Sequence, residues 1–347
     1  MNILSGNSNF FGLDIGTTGI RLVQLHSGPG PTKSVANYAY IPLEGNIGIS
    51  DAKGDRQKLA DSISQLVDKA QLSTRNVAVG LPSQKVFTTV ADVHRLPPNE
   101  LAKAMRYEIE SLIPTSLNDS KVDWAVIGDS LKDKTKVEVL LSSVSNEFIE
   151  KQLDFLEGIG LNVIAFEPDT MAISRSLLLP GDPAAQMIID IGSKSADLVI
   201  VMSDIPHLTR SIPIGLDSIV NAAAQNLSID QSQAKQFILK FGLSRQKLEG
   251  QIYGAIIGVI DGLFTEIEKS IKFYQTRYPD TKISRLVVTG GASALPEFPV
   301  YLSNKFGIDI EIGNPWKNVS FDPARQNELL TIANHFSVAV GLAERTI

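Results

Sequence analysis

No cysteine occurs in the 347 residues of this chain. Disulfides, thiolate metal sites and cysteine nucleophiles are therefore excluded, and a reducing compartment is a natural setting. Histidine is scarce: His26, His94, His207 and His335 lie far apart without metal-ligand spacing, so surface or internally satisfied imidazoles are the ordinary reading. No block of five like charges is present, and the net charge is −6. A nucleic-acid role thus has no electrostatic support. No apolar run reaches the ~18 residues of a membrane span; the nearest, 252–264, is broken by Asp261 and glycines. Residues 1–9 carry neither a basic region nor an apolar run, so no signal peptide is expected. A Gly-x4-Gly-Lys phosphate loop is missing too. These absences predict a soluble intracellular protein. With 43% hydrophobic and 20% charged residues, the composition is that of an ordinary globular chain, and its length predicts two domains or one bilobed body.

What is present begins at residues 10–25, an apolar strand, a sharp polar turn and a second apolar strand. Asp14 stands at the end of the first strand. Gly16 permits close approach of a ligand to the backbone. Thr17, Thr18 and Gly19 offer N–H groups and hydroxyls in a tight hairpin, which suits a phosphate. Arg21 adds positive charge on the return strand. An acid beside a phosphate cradle usually has a divalent cation between them. A polar turn with no ligand explains these residues about as well.

Further along, a turn is expected at Gly28–Pro31 and a strand at 35–41. A helix follows from Arg56, with Leu59, Ile63, Leu66, Val67 and Ala70 at helical spacing. Strands are expected at 76–81 and 85–93. Asn99 is the predicted N-cap of a helix over 100–112, stopped by Pro114. Strands at 122–127 and 136–145 and a helix at 146–157 complete a small ββ/α unit, 85–157. A buried strand at 163–166 leads to a helix at 170–178, and Pro180–Pro183 is the clearest linker.

The second half opens with a copy of the first device. Asp14 falls on Asp190, Gly16 on Gly192 and Thr17 on Ser193, with apolar strands flanking both. An internal repeat constrains the fold more than any local propensity. A strand at 209–214 and helices over 217–278 come next. Residues 283–289 read as a buried strand ending in Thr289-Gly290-Gly291, with a helix expected at 296–306. Two glycines at a strand end admit a ligand to bare backbone, and a following helix N-terminus favours anions. The last helix is expected at 335–345.

Two equivalent hairpins plus the Thr-Gly-Gly strand end resemble the actin, sugar-kinase and heat-shock chaperone ATPase superfamily. The resemblance implies an α/β, actin-like (ribonuclease H-like) fold of duplicated lobes closing on ATP. The hairpins are similar to its two phosphate motifs and 288–295 to its adenosine motif. Carried over by position, the ATP-binding residues are Asp14, Gly16, Thr17, Thr18, Arg21, Asp190, Gly192, Ser193, Lys194, Gly290, Gly291 and Ala292. Asp14 and Asp190 would hold Mg2+, through water, because Mg2+ gives up its shell reluctantly. Glu167 is the one tempting catalytic base, although its Pro168 neighbour suits a helix start equally well.

The early insert at 85–157 narrows the resemblance to FtsA and PilM, whose subdomain 1C lies there. The chain is similar to the PilM family over nearly its whole length, through residues 11–25, Val77-Ala78-Val79-Gly80-Leu81-Pro82, 96–101, 106–114, Ser211-Ile212-Pro213-Ile214-Gly215 and 336–343. No separate basic amphipathic helix closes the sequence, unlike FtsA-like proteins. The implied subdomains are 1A at 8–84, 158–184 and 333–347, 1C at 85–157, 2A at 185–215 and 283–332, and 2B at 216–282. The implied role is a cytoplasmic ATP-binding scaffold of type IV pilus assembly, at the inner face of the membrane through its partner, with slow or absent hydrolysis. The implied partner is the N-terminal tail of a PilN-like membrane protein, held between 1A and 1C, with self-association as a further expectation. Leu81, Arg106, Glu108 and Leu112 are candidates for that groove, although ordinary surface and core positions account for each as well. The 2B helix departs from the family pattern, with Lys235 where Glu is expected and Ile238 where Lys is expected; Leu216 replaces the second of a common glycine pair. An FtsA-like filament protein and a small-molecule kinase of the same fold are the competing readings.

Overall fold

The computed structural model describes residues 9–27 and 32–346; the turn expected at Gly28–Pro31 lies outside them. In chain order the elements are β1 (Phe11–Ile15), β2 (Gly19–His26), β3 (Ser34–Pro42), α1 (Lys53–Lys69), β4 (Asn76–Leu81), β5 (Val86–His94), α2 (Pro98–Leu112), β6 (Ser120–Asp129), β7 (Lys136–Ser145), α3 (Asn146–Gly158), β8 (Asn162–Pro168) and α4 (Asp169–Leu177). Then follow β9 (Ala185–Ile191), β10 (Ala196–Met202), β11 (Ile205–Ile212), α5 (Leu216–Leu227), α6 (Gln231–Phe241), α7 (Gln251–Arg277), β12 (Ile283–Thr289), α8 (Phe298–Phe306), β13 (Asp309–Ile312), α9 (Gln326–Ile332) and α10 (Ser337–Glu344).

Two five-stranded sheets share one topology. Their orders are β3-β2-β1-β4-β8 and β11-β10-β9-β12-β13. In each, the first two pairings are antiparallel and the last two parallel. The registers coincide at the hairpins: Asp14 lies opposite Arg21, and Asp190 opposite Asp197. The internal repeat is thus a duplication of a whole lobe.

Alternation along the strands gives each sheet two buried faces. In the second sheet Met187, Ile189, Leu198, Ile200 and Val288 meet helices α5 to α8, while Ile188, Val199, Val201 and Val287 face Ile173, Leu177 and Leu342. In the first, Phe11, Leu13, Leu22 and Val79 meet α1, while Val23 and Leu25 meet Ala339, Val340 and Ala343. The last helix of each half therefore packs beneath the other half's sheet, and α4 and α10 cross between them. At the crossing a Cβ on Gly341 would lie 1.8 Å from the Ala172 carbonyl oxygen, so only glycine permits this approach.

A separate three-stranded sheet, β5-β7-β6, carries α2 on one face. Leu101, Met105 and Ile109 pack there on Val93, Val137, Val139 and Leu141.

Several expected boundaries differ. Asn99 is not the N-cap: α2 starts at Pro98 after Pro97, with no side-chain cap bond, because the fixed proline φ already matches the first turn. β11 begins at Ile205, since Ser203 and Asp204 both take positive φ and make a tight hairpin. α8 begins at Phe298, two residues beyond the expected start. Residues 314–332, expected with the second lobe, sit instead on the first sheet. There Trp316, Val319 and Leu329 join Val23 and Phe336 in one core, and Ser320 bridges to Ser34.

Candidate functional site

A cleft of about 680 Å³ separates the two hairpins. Its walls include Asp14, Gly16, Thr17, Thr18 and Arg21 from the first hairpin and Asp190, Gly192, Ser193 and Lys194 from the second, with Gly290 and Gly291 at one end. Each turn closes the same way, Gly16 N–H donating to the Gly19 carbonyl at 3.0 Å and Gly192 N–H to that of Ser195 at 2.9 Å. Thr17, Thr18, Ser193 and Lys194 are left at the turn tips, where they line the space between the lobes.

Side chains fasten the second turn. The Ser193 hydroxyl donates to Asp217 at 2.7 Å, Lys194 pairs with the other Asp217 oxygen at 2.9 Å, and the Leu216 and Asp217 amides donate to the Gly192 and Ser193 carbonyls. Arg21 is 7% exposed and reaches Asp14 at 3.3 Å. Gly290 has φ +85, and a Cβ there would meet Asp190 Oδ1 at 2.3 Å, so glycine is what lets the strand end pass the carboxylate.

Two expected site residues lie elsewhere. Ala292 is fully buried and donates its amide to the Ile191 carbonyl; it supports the turn from behind. Glu167 is 2% exposed and faces away from the cleft, with Arg175 on one oxygen and Arg345 on the other, the latter at 2.7 Å. A carboxylate so held has no lone pair directed at the cleft. Asp169, two residues on at the first position of α4, does line it, and its Oδ1 is buried with no hydrogen-bond partner. The alternation of a strand running into a helix start was the only signal in the sequence that could have favoured Asp169 over Glu167.

Four carboxylates thus share the cleft floor. Burial raises the Asp14 pKa, with Arg21 opposing. Asp169 is raised well above the usual range by burial, with Asp14, Asp197 and Asp190 adding to it. Asp190 is pushed up to about 7 by burial and then by Asp197 and Asp14. Burial raises Asp197 as well. Crowded acids with a buried, unpartnered oxygen fit a cation-bearing ligand. Among the described residues no three His, Cys, Asp or Glu side chains converge as a ready cage.

On the second-lobe side, Lys235 and Leu239 of α6 line the cleft, whereas Ile238 is fully buried in the second core.

A second cavity, of about 530 Å³, lies between the first sheet and the small sheet. Leu81, Phe166 and Met171 form one wall and Ala125, Leu140 and Val144 the other, while the neighbouring Trp124 packs with α2 on the far face of the sheet. Of the groove candidates only Leu81 is here. Arg106, Glu108 and Leu112 belong to α2, which covers the opposite face of the small sheet. Among the described residues no helix is long and apolar enough to cross a membrane.

Residues 12–347 match the family described as "Type IV pilus assembly protein PilM". A solved structure described as "PilM-PilN type IV pilus biogenesis complex" is 25% identical, covers 96% of this chain and 97% of its own, and superposes with a TM-score of 0.80. The ethanolamine utilization protein EutJ from Carboxydothermus hydrogenoformans (16% identity, 96% and 88% covered, TM-score 0.57) and ADP-bound MreB5 of Spiroplasma citri (12%, 96% and 95%, 0.57) share the fold.

Proposed function

Since this chain belongs to the PilM family of type IV pilus assembly proteins, we propose that it works in the cytoplasm as an ATP-binding scaffold that captures the tail of a PilN-like membrane protein. The observation that carries the nucleotide half is the pair of equivalent hairpins facing one another across a cleft floored by acids. Amides at the turn tips would hold the β- and γ-phosphates, with Lys194 and Arg21 supplying charge. Asp14 and Asp190 would hold Mg2+ through water, and the ion would neutralise phosphate charge. Gly290 and Gly291 would leave room for the adenosine side. Asp169, rather than Glu167, is the carboxylate placed to orient a water near the phosphates. ATP with Mg2+ is expected to raise the melting temperature by several degrees, as saturating ligand stabilises the native state by a few kcal/mol. Asp14→Ala should lose that shift. An unchanged melting temperature in the parent protein would refute nucleotide binding.

The groove supports the partner half. Both walls carry apolar side chains, with Lys121, Asp123, Glu167, Arg175 and Arg345 among the lining, and β6 runs along it as an edge strand. An unpaired strand edge beside such a trough suits an extended peptide. A synthetic peptide of the PilN-like protein's N-terminal tail should bind the protein in a calorimetric titration, and Val144→Glu should weaken binding at least tenfold. Equal affinity in Val144→Glu would place the peptide elsewhere.

A further inference from the structure

The small unit joins the chain of the first lobe at both its ends, yet its buried polar contacts go to the second lobe. Glu138, on β7, is 5% exposed. It accepts from Arg277 at 2.8 Å and from the Tyr278 hydroxyl at 3.1 Å, both at the end of α7. Asp92, on β5, takes the same Arg277 guanidinium at 3.0 Å. His207 of β11 completes the cluster through a 3.0 Å bond to the Tyr278 hydroxyl. Against the first lobe, by contrast, the small sheet faces the groove, and the unit's packing there falls to α3, whose Leu156 joins the first core. For the sheet itself, a charge network with little freedom on one side and a hollow on the other make the second lobe the firmer neighbour.

The connection between β4 and β5 adds a direct link. Pro82, Ser83 and Gln84 line the cleft, while Leu81 and Val86, on either side of them, line the groove. The buried Ser83 hydroxyl faces Asp197 of the second lobe and favours its charged form.

We propose that the Glu138–Asp92–Arg277–Tyr278 cluster latches the small sheet to the second lobe, so that closure of the lobes on a ligand shifts the small sheet and changes the width of the groove. The latch regulates the partner site through the cleft, and it rests on the nucleotide reading above. Lobe closure is a rigid-body movement. A sheet tied to the moving lobe across a hollow must move relative to the stationary wall, and residues 81–86 form the strap on which it turns.

The chain has no cysteine, so a fluorophore on an introduced Ala125→Cys, a position that lines the groove, reports it in the full-length protein. ATP with Mg2+ is expected to change the acrylamide quenching of that label in the otherwise unchanged parent. Made in the same background, Glu138→Gln and Asp92→Asn should keep the ATP-induced melting shift and lose the quenching response. Asp92 is the more exposed of the two, so its variant carries the test if Glu138→Gln does not fold. A parent that gains thermal stability with ATP but shows no quenching change overturns the latch and leaves the nucleotide reading standing. Variants that retain the full response overturn it as well. A parent with no thermal gain removes the nucleotide reading, and the latch falls with it.

Discussion

Asp190→Asn protein is expected to melt higher than the parent at pH 8 without nucleotide, and to gain nothing from ATP and Mg2+. The folded-state pKa of Asp190 is about 7 against an ordinary 3.8. A group so raised holds its proton more tightly when folded. Its stabilising contribution is full below about pH 4 and is lost as pH rises through about 7. By pH 8 the loss is at most about 4 kcal/mol, reduced by whatever water in the cleft screens. Asparagine cannot ionise and avoids it. Melting curves of both proteins from pH 4 to 8 should therefore diverge as pH rises. Glu344, raised to about 7 by its own burial, has the same sign, while His207 and His335, both lowered by burial, have the opposite one. These three occur in both proteins and cancel in the difference. Parallel curves would mean that Asp190 ionises freely. The gain in apo stability and the loss of ligand response share one cause, since charges that repel one another in the absence of a cation are the leverage a cation uses.

Gly341→Ala should lower the melting temperature by roughly 5–10 °C, the equivalent of about 3 kcal/mol. In an exposed helix the same change stabilises by up to about 1 kcal/mol, so the sign itself is diagnostic. Here the new methyl would fall 1.8 Å from the Ala172 carbonyl oxygen. Backbone cannot rotate aside as a side chain can, so α4 and α10 must separate. Ser176, which donates to the Ser337 carbonyl at 2.7 Å, and Arg175, which donates to that of Gly341 at 2.6 Å, would lose register with them. Gly258→Ala in α7, where nothing lies within 4 Å of the added carbon, is the control and should be neutral or stabilising. Equal melting of Gly341→Ala and parent would show that the helices are less closely apposed.

The hairpins were legible because their chemistry is local. Asp14 and Gly16, Asp190 and Gly192 sit within one turn each, and the second copy supplies what neither carries alone. Asp169 was not legible, because the choice between two carboxylates two residues apart depends on where β8 stops and α4 starts. Arg175, within the helix that follows, and Arg345, far along the chain, occupy Glu167, and no spacing announces the second. Arg106, Glu108 and Leu112 could not be separated from ordinary helix positions, because an amphipathic helix looks available until its apolar stripe is seen to pack on Val139 and Leu141. The alternate residues of β7, Leu140 and Val144, line the cavity on the other face of that sheet. Residues 314–332 gave no period to follow: short 3-10 turns at Pro315–Asn318 and Pro323–Arg325 precede the seven-residue α9, and only packing assigns them to the first sheet.

The exchange of terminal helices bears on how the chain is made. The face of the first sheet formed by Val23 and Leu25 is covered by Ala339, Val340 and Ala343, more than three hundred positions later. During synthesis, that face waits until the stretch carrying α10 has left the ribosome. Contacts of such sequence separation form slowly, and an apolar face left bare meanwhile invites association with other chains. The first strands to emerge are thus among the last to be buried, and chaperone demand should peak while the second lobe is still being translated.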